Sequence, residues 1–288
     1  MSAIMVTGAG GWIGSYVLDE LRRRGHYAYA TGEVASATRE IYALDITDAP
    51  AVRHMVTEIR PDAIINLAGV LGTEELLSHE APAALVNVVG ALNVFDAARI
   101  VDARVVQIGT GHRGQPNTYA VTKACAEDLG LIRAANLGQP ITIVRAYHAY
   151  GPGQSIPPPH GRARVRKIIP SFACRALTGM PIEIFGNGEN LIDLVYVGDV
   201  ASALVDAAEN GQPGEIRQAG TGHALRVSDV AQSVIDRART GVQIVYEAPR
   251  PGEPVGARAV ADKPVCGHPW PHAADITMAY YAEKLGVA

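Results

Sequence analysis

The sequence predicts an α/β protein, a doubly wound parallel sheet carrying a smaller C-terminal lobe, and three observations predict it. Short, continuously apolar stretches alternate with amphipathic ones as far as Arg145. Strands read this way when helices cover both faces of a parallel sheet. A glycine-rich turn, Thr7-Gly8-Ala9-Gly10-Gly11-Trp12-Ile13-Gly14, joins the first apolar stretch to the first amphipathic one. After Arg145 the texture changes to a loop rich in proline and glycine, from Gly151-Pro152-Gly153 through Pro157-Pro158-Pro159-His160-Gly161.

Taken in order, residues 3–7 read as a first strand and 12–24 as an amphipathic helix. Residues 27–31 and 41–44 are the second and third strands, and a helix then runs to Ile59. A fourth strand spans 62–66, a helix 83–98, a fifth strand 104–108, a helix 118–136 and a sixth strand 141–145. Beyond the proline loop, Arg162, Arg164, Arg166 and Lys167 look like a basic helix start. A strand over 181–185 ends at the turn Gly186-Asn187-Gly188, and residues 194–197 and 199–208 return to the α/β core. The expected division is a dinucleotide-binding core over 1–150 with a return segment at about 191–212. A second lobe, made of 151–190 and 213–288, is expected to bind substrate.

Composition narrows the class. The chain has 288 residues, 48% apolar and 19% charged, with 30 glycines, which is ordinary for a globular protein of one or two domains. A net charge of -4 argues against nucleic acid or an anionic membrane surface as partner. Cys125, Cys174 and Cys266 are scattered. The tail Cys266-Gly267-His268-Pro269-Trp270-Pro271-His272 lacks a closed zinc spacing, so no metal is expected. No leader precedes the first strand, and no uninterrupted apolar run reaches the ~20 residues of a membrane span. A cytoplasmic location is the expectation.

The glycine turn has a physical reading. Gly8 would make the tight turn, Gly11 would let backbone approach a pyrophosphate, and Gly14 would let helix pack on strand. Phosphates would then sit at the helix N-terminus, where unpaired N–H groups and the dipole favour anions. The core is therefore expected to be of the Rossmann type. Tyr119 and Lys123 stand four apart on a predicted helix, so both point to one face. A lysine so placed lowers a phenol's pKa and makes it a usable base.

On these residues the chain resembles the extended short-chain dehydrogenase/reductase family, in particular its nucleotide-sugar epimerases, dehydratases and reductases. The resemblance runs from Met5 to about Glu253. Thr7 to Gly14 looks like the family's glycine motif, and Asp45-Ile46 like its adenine-contacting pair. Leu67-Ala68-Gly69 follows the fourth strand, where the family lines the cofactor with small residues. Asn87 matches a helix asparagine, Gly109-Thr110 the catalytic Ser/Thr position, and Tyr119/Lys123 the catalytic pair. Arg145-Ala146-Tyr147-His148-Ala149-Tyr150-Gly151-Pro152-Gly153 and Val195-Tyr196-Val197-Gly198-Asp199-Val200 are similar to two later landmarks.

The resemblance implies that Tyr119 exchanges a proton with a sugar hydroxyl or ketone. It implies that Lys123 holds the nicotinamide ribose and that Thr110 hydrogen-bonds the reacting oxygen. The cofactor contacts it implies are Gly8, Gly11, Trp12, Ile13, Gly14, Glu33, Asp45, Ile46, Leu67, Ala68, Gly69, Asn87, Tyr119, Lys123 and Tyr147. Substrate contacts are expected from Val70, Thr110, His112, His148, Arg166 and Arg250. NAD is the expected cofactor and NADP the alternative, because Gly32 replaces the acidic residue at the end of the second strand, Glu33 comes one position late, and Arg39 stands nearby.

Four departures stand out. Only nine positions separate Thr110 from Tyr119, a short loop for the family. Gly111 and His112 replace the acidic pair of dehydratases, which disfavours elimination of water. His148 replaces an asparagine. Ile192 stands before Asp193 where an arginine contacts phosphate, leaving Arg250 and the cluster Arg162, Arg164, Arg166 and Lys167 to supply charge. The expected activity is NAD-dependent epimerisation of a nucleotide-activated sugar at C4 through a transient ketone, by a homodimer. The alternatives are an NAD(P)H-dependent 4-keto-6-deoxy nucleotide-sugar ketoreductase and a catalytically silent cofactor-binding regulator.

Overall fold

Strand β1 (Ala3–Thr7) lies inside a seven-stranded sheet, because its five residues are apolar enough to be covered on both faces. We describe residues 1–254 and 256–287, in a computed structural model. The chain leaves β1 through the glycine turn into α1 (Trp12–Arg23), then forms β2 (Tyr27–Gly32) and β3 (Tyr42–Ala43) on one side. Helix α2 (Ala49–Ile59), capped by the Asp48 carboxylate accepting from Ala51 N–H at 3.0 Å, carries it back to β4 (Ala63–Asn66) on the other side.

A long helix follows as α3 (Glu80–Ala84), a π-helical segment (Leu85–Gly90) and α4 (Ala91–Ile100). Strand β5 (Arg104–Thr110), helix α5 (Thr118–Leu137) and strand β6 (Ile141–Ala146) complete the predicted alternation. All six strands pair in parallel in the order β6-β5-β4-β1-β2-β3.

By length and mean hydropathy (1.4 over its best window), Glu80–Ile100 is apolar enough to cross a membrane, which inspection for uninterrupted apolar runs overlooks. Here Ala91, Val94, Phe95, Ala97 and Ala98 from this helix pack with Val52, Val56, Ile64 and Val105 on one face of the sheet. The opposite face is covered by α1 and by α7 (named below), whose Val17, Leu21, Val200 and Leu204 meet Ile4, Val6 and Val106.

The second half departs from the prediction in three places. At Tyr147 the chain bends out of the main sheet, so β7 (His148–Tyr150) starts a separate ribbon. The basic residues 162–167 are not a helix start. They lie in irregular chain, and α6 (Ile168–Leu177) begins only after Lys167. Pro170 is tolerated only in a first helical turn, where it has no i−4 carbonyl to clash with, and this keeps the helix start after Lys167.

Strands β8 (Ile182–Phe185), β9 (Leu191–Ile192) and β10 (Leu194–Tyr196) follow, β10 pairing with β7, and α7 (Val197–Asn210) returns to the sheet. Strand β11 (Ile216–Ala219) then adds to β6 as the seventh central strand, so the core reaches beyond the return segment read at 191–212. The remaining elements are β12 (Leu225–Arg226), α8 (Val227–Ala238), β13 (Ile244–Glu247), β14 (Arg258–Ala259) and α9 (Ala274–Leu285). Around α6, α8 and α9 a second core forms from Tyr150, Phe172, Ile182, Val234, Trp270 and Tyr281.

The junction between β1 and α1 is tight. A Cβ on Gly14 would lie 2.6 Å from the Ala9 carbonyl oxygen, which is backbone and cannot step aside. Gly14→Ala should therefore destabilise the protein by about 1–3 kcal/mol through overpacking. A lowered urea midpoint at unchanged slope is the expected observation.

Candidate active site

Strands β1 and β4 are neighbours whose chains depart in different directions, which opens a crevice at their carboxyl ends. Gly8 sits there with φ +66°, and a Cβ on it would lie 2.7 Å from the Ala68 nitrogen. Only glycine lets the turn lie against Leu67-Ala68-Gly69. Beneath it, Thr7 donates its hydroxyl to Asn66, and Asn66 donates to Gln107 at 2.7 Å, linking β1, β4 and β5.

Helix α1 has Gly11 at its N-cap and no side chain capping its first N–H groups. Gly11 itself has little room, since a Cβ would lie 3.2 Å from the Gly8 carbonyl oxygen. An anionic pyrophosphate fits this end in charge and in space. The residues present therefore suit a dinucleotide.

Around the crevice the predicted contacts divide. Trp12 turns its indole away and donates to Pro152 O at 2.7 Å, while the Tyr16 hydroxyl donates to the same oxygen at 3.0 Å. Its side chain thus ties the second lobe to α1, and only its backbone faces the turn. Ile13 packs on the core.

Glu33 is exposed past the end of β2, and Arg39 reaches back to Gly10 O at 3.4 Å. Asp45 is exposed, with one carboxylate oxygen accepting from Thr47 N–H and hydroxyl, both at 2.8 Å. Ile46 is buried under Gly90. Asn87 spends its amide inside the protein: it accepts from Val70 N–H at 2.9 Å and donates to Val70 O and Thr122 Oγ1, both at 3.0 Å. It clamps the Gly69-Val70 turn to α5. Tyr147 lies over Gly111 and donates to Gln218 at 2.9 Å.

Helix α5 carries Tyr119 and Lys123. Asn117 caps it by accepting from Ala120 N–H at 2.9 Å, which starts the helix so that Tyr119, Lys123 and Glu127 follow one another at four-residue spacing. Lys123 is 4% exposed and Glu127 is fully buried. A Cβ on Gly69 would lie 3.9 Å from Lys123 Nζ, so the ammonium reaches the floor of the crevice.

Burial raises the pKa of the Tyr119 phenol, although the Thr110 hydroxyl beside it pulls the other way. The same burial lowers Lys123 to about 8, with Glu127 opposing. This corrects the simple expectation that the lysine lowers the phenol. Desolvation acts on both groups and outweighs the neighbour that lowers the phenol.

Glu127 is the residue that sequence reasoning missed. It accepts from Thr110 N–H at 3.0 Å and from Arg145 Nε at 2.8 Å, with Arg113 at 3.4 Å. It holds the end of β5 against α5, and Gly109 has no room for a Cβ beside it. The signal was present, since a third polar residue continued the i, i+4 row behind Tyr119 and Lys123.

The short loop before Tyr119 folds back on α5. Gly114 has φ +89°, and Arg113 makes a bidentate pair with Asp128, 2.7 Å to each oxygen. This places His112 beside Thr110 (Nδ1 to Oγ1, 3.3 Å) and against His148, with their Nε2 atoms 3.0 Å apart.

Outward from the two histidines runs a groove lined by Arg166, Lys167, Glu183, Phe185, Arg250 and Glu253. Arg250 and Arg166 lie 4.9 and 5.8 Å from the Phe185 ring centre. Each also has a carboxylate, Glu253 for Arg250 and Glu183 (3.2 Å) for Arg166. Phe185 went unremarked in the sequence, where it read only as a strand end. Arg162 and Arg164 are exposed.

Asp193, without a neighbouring arginine, is fully buried and accepts from Thr221 N–H and hydroxyl, Gly222 N–H and Ala261 N–H. In the tail, His268 pairs with Asp199 at 2.7 Å and stacks on His272 at 4.0 Å.

Residues 4–220 match the family model described as the NAD dependent epimerase/dehydratase family. The chain is 27% identical over 278 residues to the UDP-glucose 4-epimerase of Mycolicibacterium smegmatis, covering 86% of this chain and 87% of that one. It is 26% identical over 272 residues to the UDP-N-acetyl-alpha-D-glucosaminuronate decarboxylase of Bacillus cytotoxicus, covering 84% and 82%. The structure of Thermus thermophilus UDP-glucose 4-epimerase complexed with NAD superposes with a TM-score of 0.81 at 25% identity, covering 96% of this chain and 98% of that one.

Proposed function

The chain belongs to the NAD-dependent epimerase/dehydratase family, and from that premise we propose that it inverts a hydroxyl-bearing carbon, C4, of a nucleotide-activated sugar. One observation carries the reading. Tyr119 and buried Lys123 share one face of α5, Thr110 stands beside the phenol, and the side chains beside Thr110 on the groove side are imidazoles. Carboxylates at that place would favour loss of water; neutral histidines favour a cycle that ends with the sugar intact.

Gly8, Gly11, Gly14 and the uncapped start of α1 would hold the dinucleotide, with Lys123 and the Asn87-clamped turn under its reactive end. Bound NAD would supply the hydride acceptor and donor, and its cationic ring would favour the phenolate. Tyr119 takes the proton from the sugar hydroxyl and returns it after the ketone has turned over. Thr110 hydrogen-bonds the same oxygen as charge grows on it. Arg166 and Arg250 face the diphosphate, and Phe185 offers its ring to the base.

Incubating the protein with NAD and a panel of nucleotide sugars, including uronic acid forms, tests this by NMR of the products. A 4-epimer without net change in NADH is expected. Release of carbon dioxide, a dehydrated sugar, or stoichiometric NAD(P)H consumption by a 4-keto-6-deoxy sugar would overturn it. Arg250→Ala should raise KM for the sugar nucleotide about 10- to 100-fold at nearly unchanged kcat, the loss of a charge-assisted contact made equally in ground and transition states.

The working form we propose is a cytoplasmic homodimer joined through the long helix and α5, whose Leu85, Val89 and Val121 are exposed apolar groups. Sedimentation of the protein and of Val121→Glu checks this, with dimer and monomer expected respectively.

A further inference from the structure

Thr110 begins a hydrogen-bonded chain that runs through His112 and His148, both of which line the groove. Its Oγ1 accepts from the His112 backbone N–H at 3.1 Å and meets His112 Nδ1 at 3.3 Å. His112 Nε2 then meets His148 Nε2 at 3.0 Å, the rings standing edge to face with centroids 4.4 Å apart. The chain stops at His148 Nδ1, which is buried and has no hydrogen-bond partner among the described residues. Burial holds both rings neutral near pH 7, His112 at about 4 and His148 well below 6.5.

Two neutral imidazoles can fill this chain in two ways, because each carries one proton. In the first, the Thr110 hydroxyl donates to His112 Nδ1 and His112 Nε2–H donates to His148. The His148 proton must then sit on Nδ1, as a buried N–H with no acceptor. In the second, His148 Nε2–H donates to His112 Nε2, and His112 Nδ1–H donates to Thr110 Oγ1. What remains on His148 Nδ1 is a bare lone pair. Orphaned N–H groups are the rarer and costlier case in protein interiors, so the second arrangement is favoured.

Its consequence reaches the reacting oxygen. Thr110 Oγ1 then receives two hydrogen bonds, from the His112 backbone and from its ring, which fills both lone pairs. All the hydroxyl can still do is donate.

We propose that His112 and His148 are positioning residues: His148 selects the tautomer of His112, and His112 locks Thr110 as a hydrogen-bond donor toward the substrate oxygen. The last step rests on the reading of Thr110 in the proposed function; the tautomers do not.

Nitrogen-15 spectra of the full-length protein with labelled histidine test the tautomers directly at pH 7, with resonances assigned through His112→Asn and His148→Gln. The expected pattern is His112 protonated only on Nδ1 and His148 only on Nε2. The reverse tautomers, or a cationic ring at either position, would overturn the proposal whether or not a substrate is known.

Kinetics test the consequence with whichever sugar nucleotide the protein turns over. His148→Phe fills the space without a donor and should lower kcat about 10- to 100-fold, a loss of the size seen on disabling an oxyanion donor. KM and NAD affinity should stay within about twofold. His148→Gln, which can again place an N–H near His112 Nε2, should recover most of the rate. Equal losses in both variants, or a change confined to KM, would leave the pair a packing feature only and sink the positioning role. Absence of turnover by the unaltered protein would count against the proposed function and leave the spectra to decide the tautomers.

Discussion

Tyr119→Phe should lower turnover by about two to four orders of magnitude, the usual worth of a positioned acid or base. The substitution removes one oxygen and leaves the ring, so α5 and its Asn117 cap should stay as they are. Binding of NAD and of the sugar nucleotide should therefore persist, and the loss should fall on kcat. Calorimetric titration of both ligands beside steady-state kinetics separates the outcomes. Retained binding with lost turnover is the expected result. If the Phe variant kept the activity of the unaltered protein, in the tube or in the cell, the catalytic reading would fail and a silent cofactor-binding role would take its place.

Lys123→Met should do two opposite things at once. Turnover should collapse, since the ammonium that reaches Gly69 is gone. The protein without cofactor should become more stable at pH 7. In the folded state Lys123 has a pKa of about 8 against its ordinary 10.5, because burial disfavours the charged form. The unfolded chain thus holds this proton more tightly. The native state carries the full penalty below about pH 8 and sheds it as pH rises toward 10.5.

Methionine removes the penalty, a gain of at most about 3 kcal/mol at neutral pH that fades near pH 10. Glu127 keeps Arg145 and the Thr110 N–H as partners, so the exchange leaves no stranded carboxylate. Thermal melts at pH 7 and pH 10 check the sign. A lower Tm at pH 7 would mean that Glu127 depends on the lysine for its charge balance.

Much of the core was readable along the chain. Gly8, Gly11 and Gly14 announced the crevice because each does a local job in a strand–turn–helix unit, and the six expected strands do pair in parallel. Tyr119 and Lys123 were legible for the same reason, since four-residue spacing on a helix is a local property. Glu127 was within reach of that argument and was overlooked. The basic stretch at 162–167 is not helical as its charge pattern suggests, because Pro170 has to fall in the first turn of α6.

Contacts between distant segments were beyond such reading. Nothing in the neighbourhood of Trp12 says that its indole will hold Pro152, nor that Phe185 will lie between Arg166 and Arg250. In the sequence His112 stands as half of a replaced acidic pair and His148 as a substituted asparagine. Their meeting needs the short loop folded back by Arg113 and the bend at Tyr147 that turns β7 out of the sheet.

The sequence by itself determined the parallel α/β core, the dinucleotide crevice and the Tyr119/Lys123 pair, since each rests on periodicity or turn chemistry within a few residues. The tertiary structure alone decided that β11 joins the sheet, which groups are desolvated, and which hydrogen bonds Thr110 can make. Burial and pairing belong to neighbours in space, and those neighbours come from parts of the chain that local pattern does not connect.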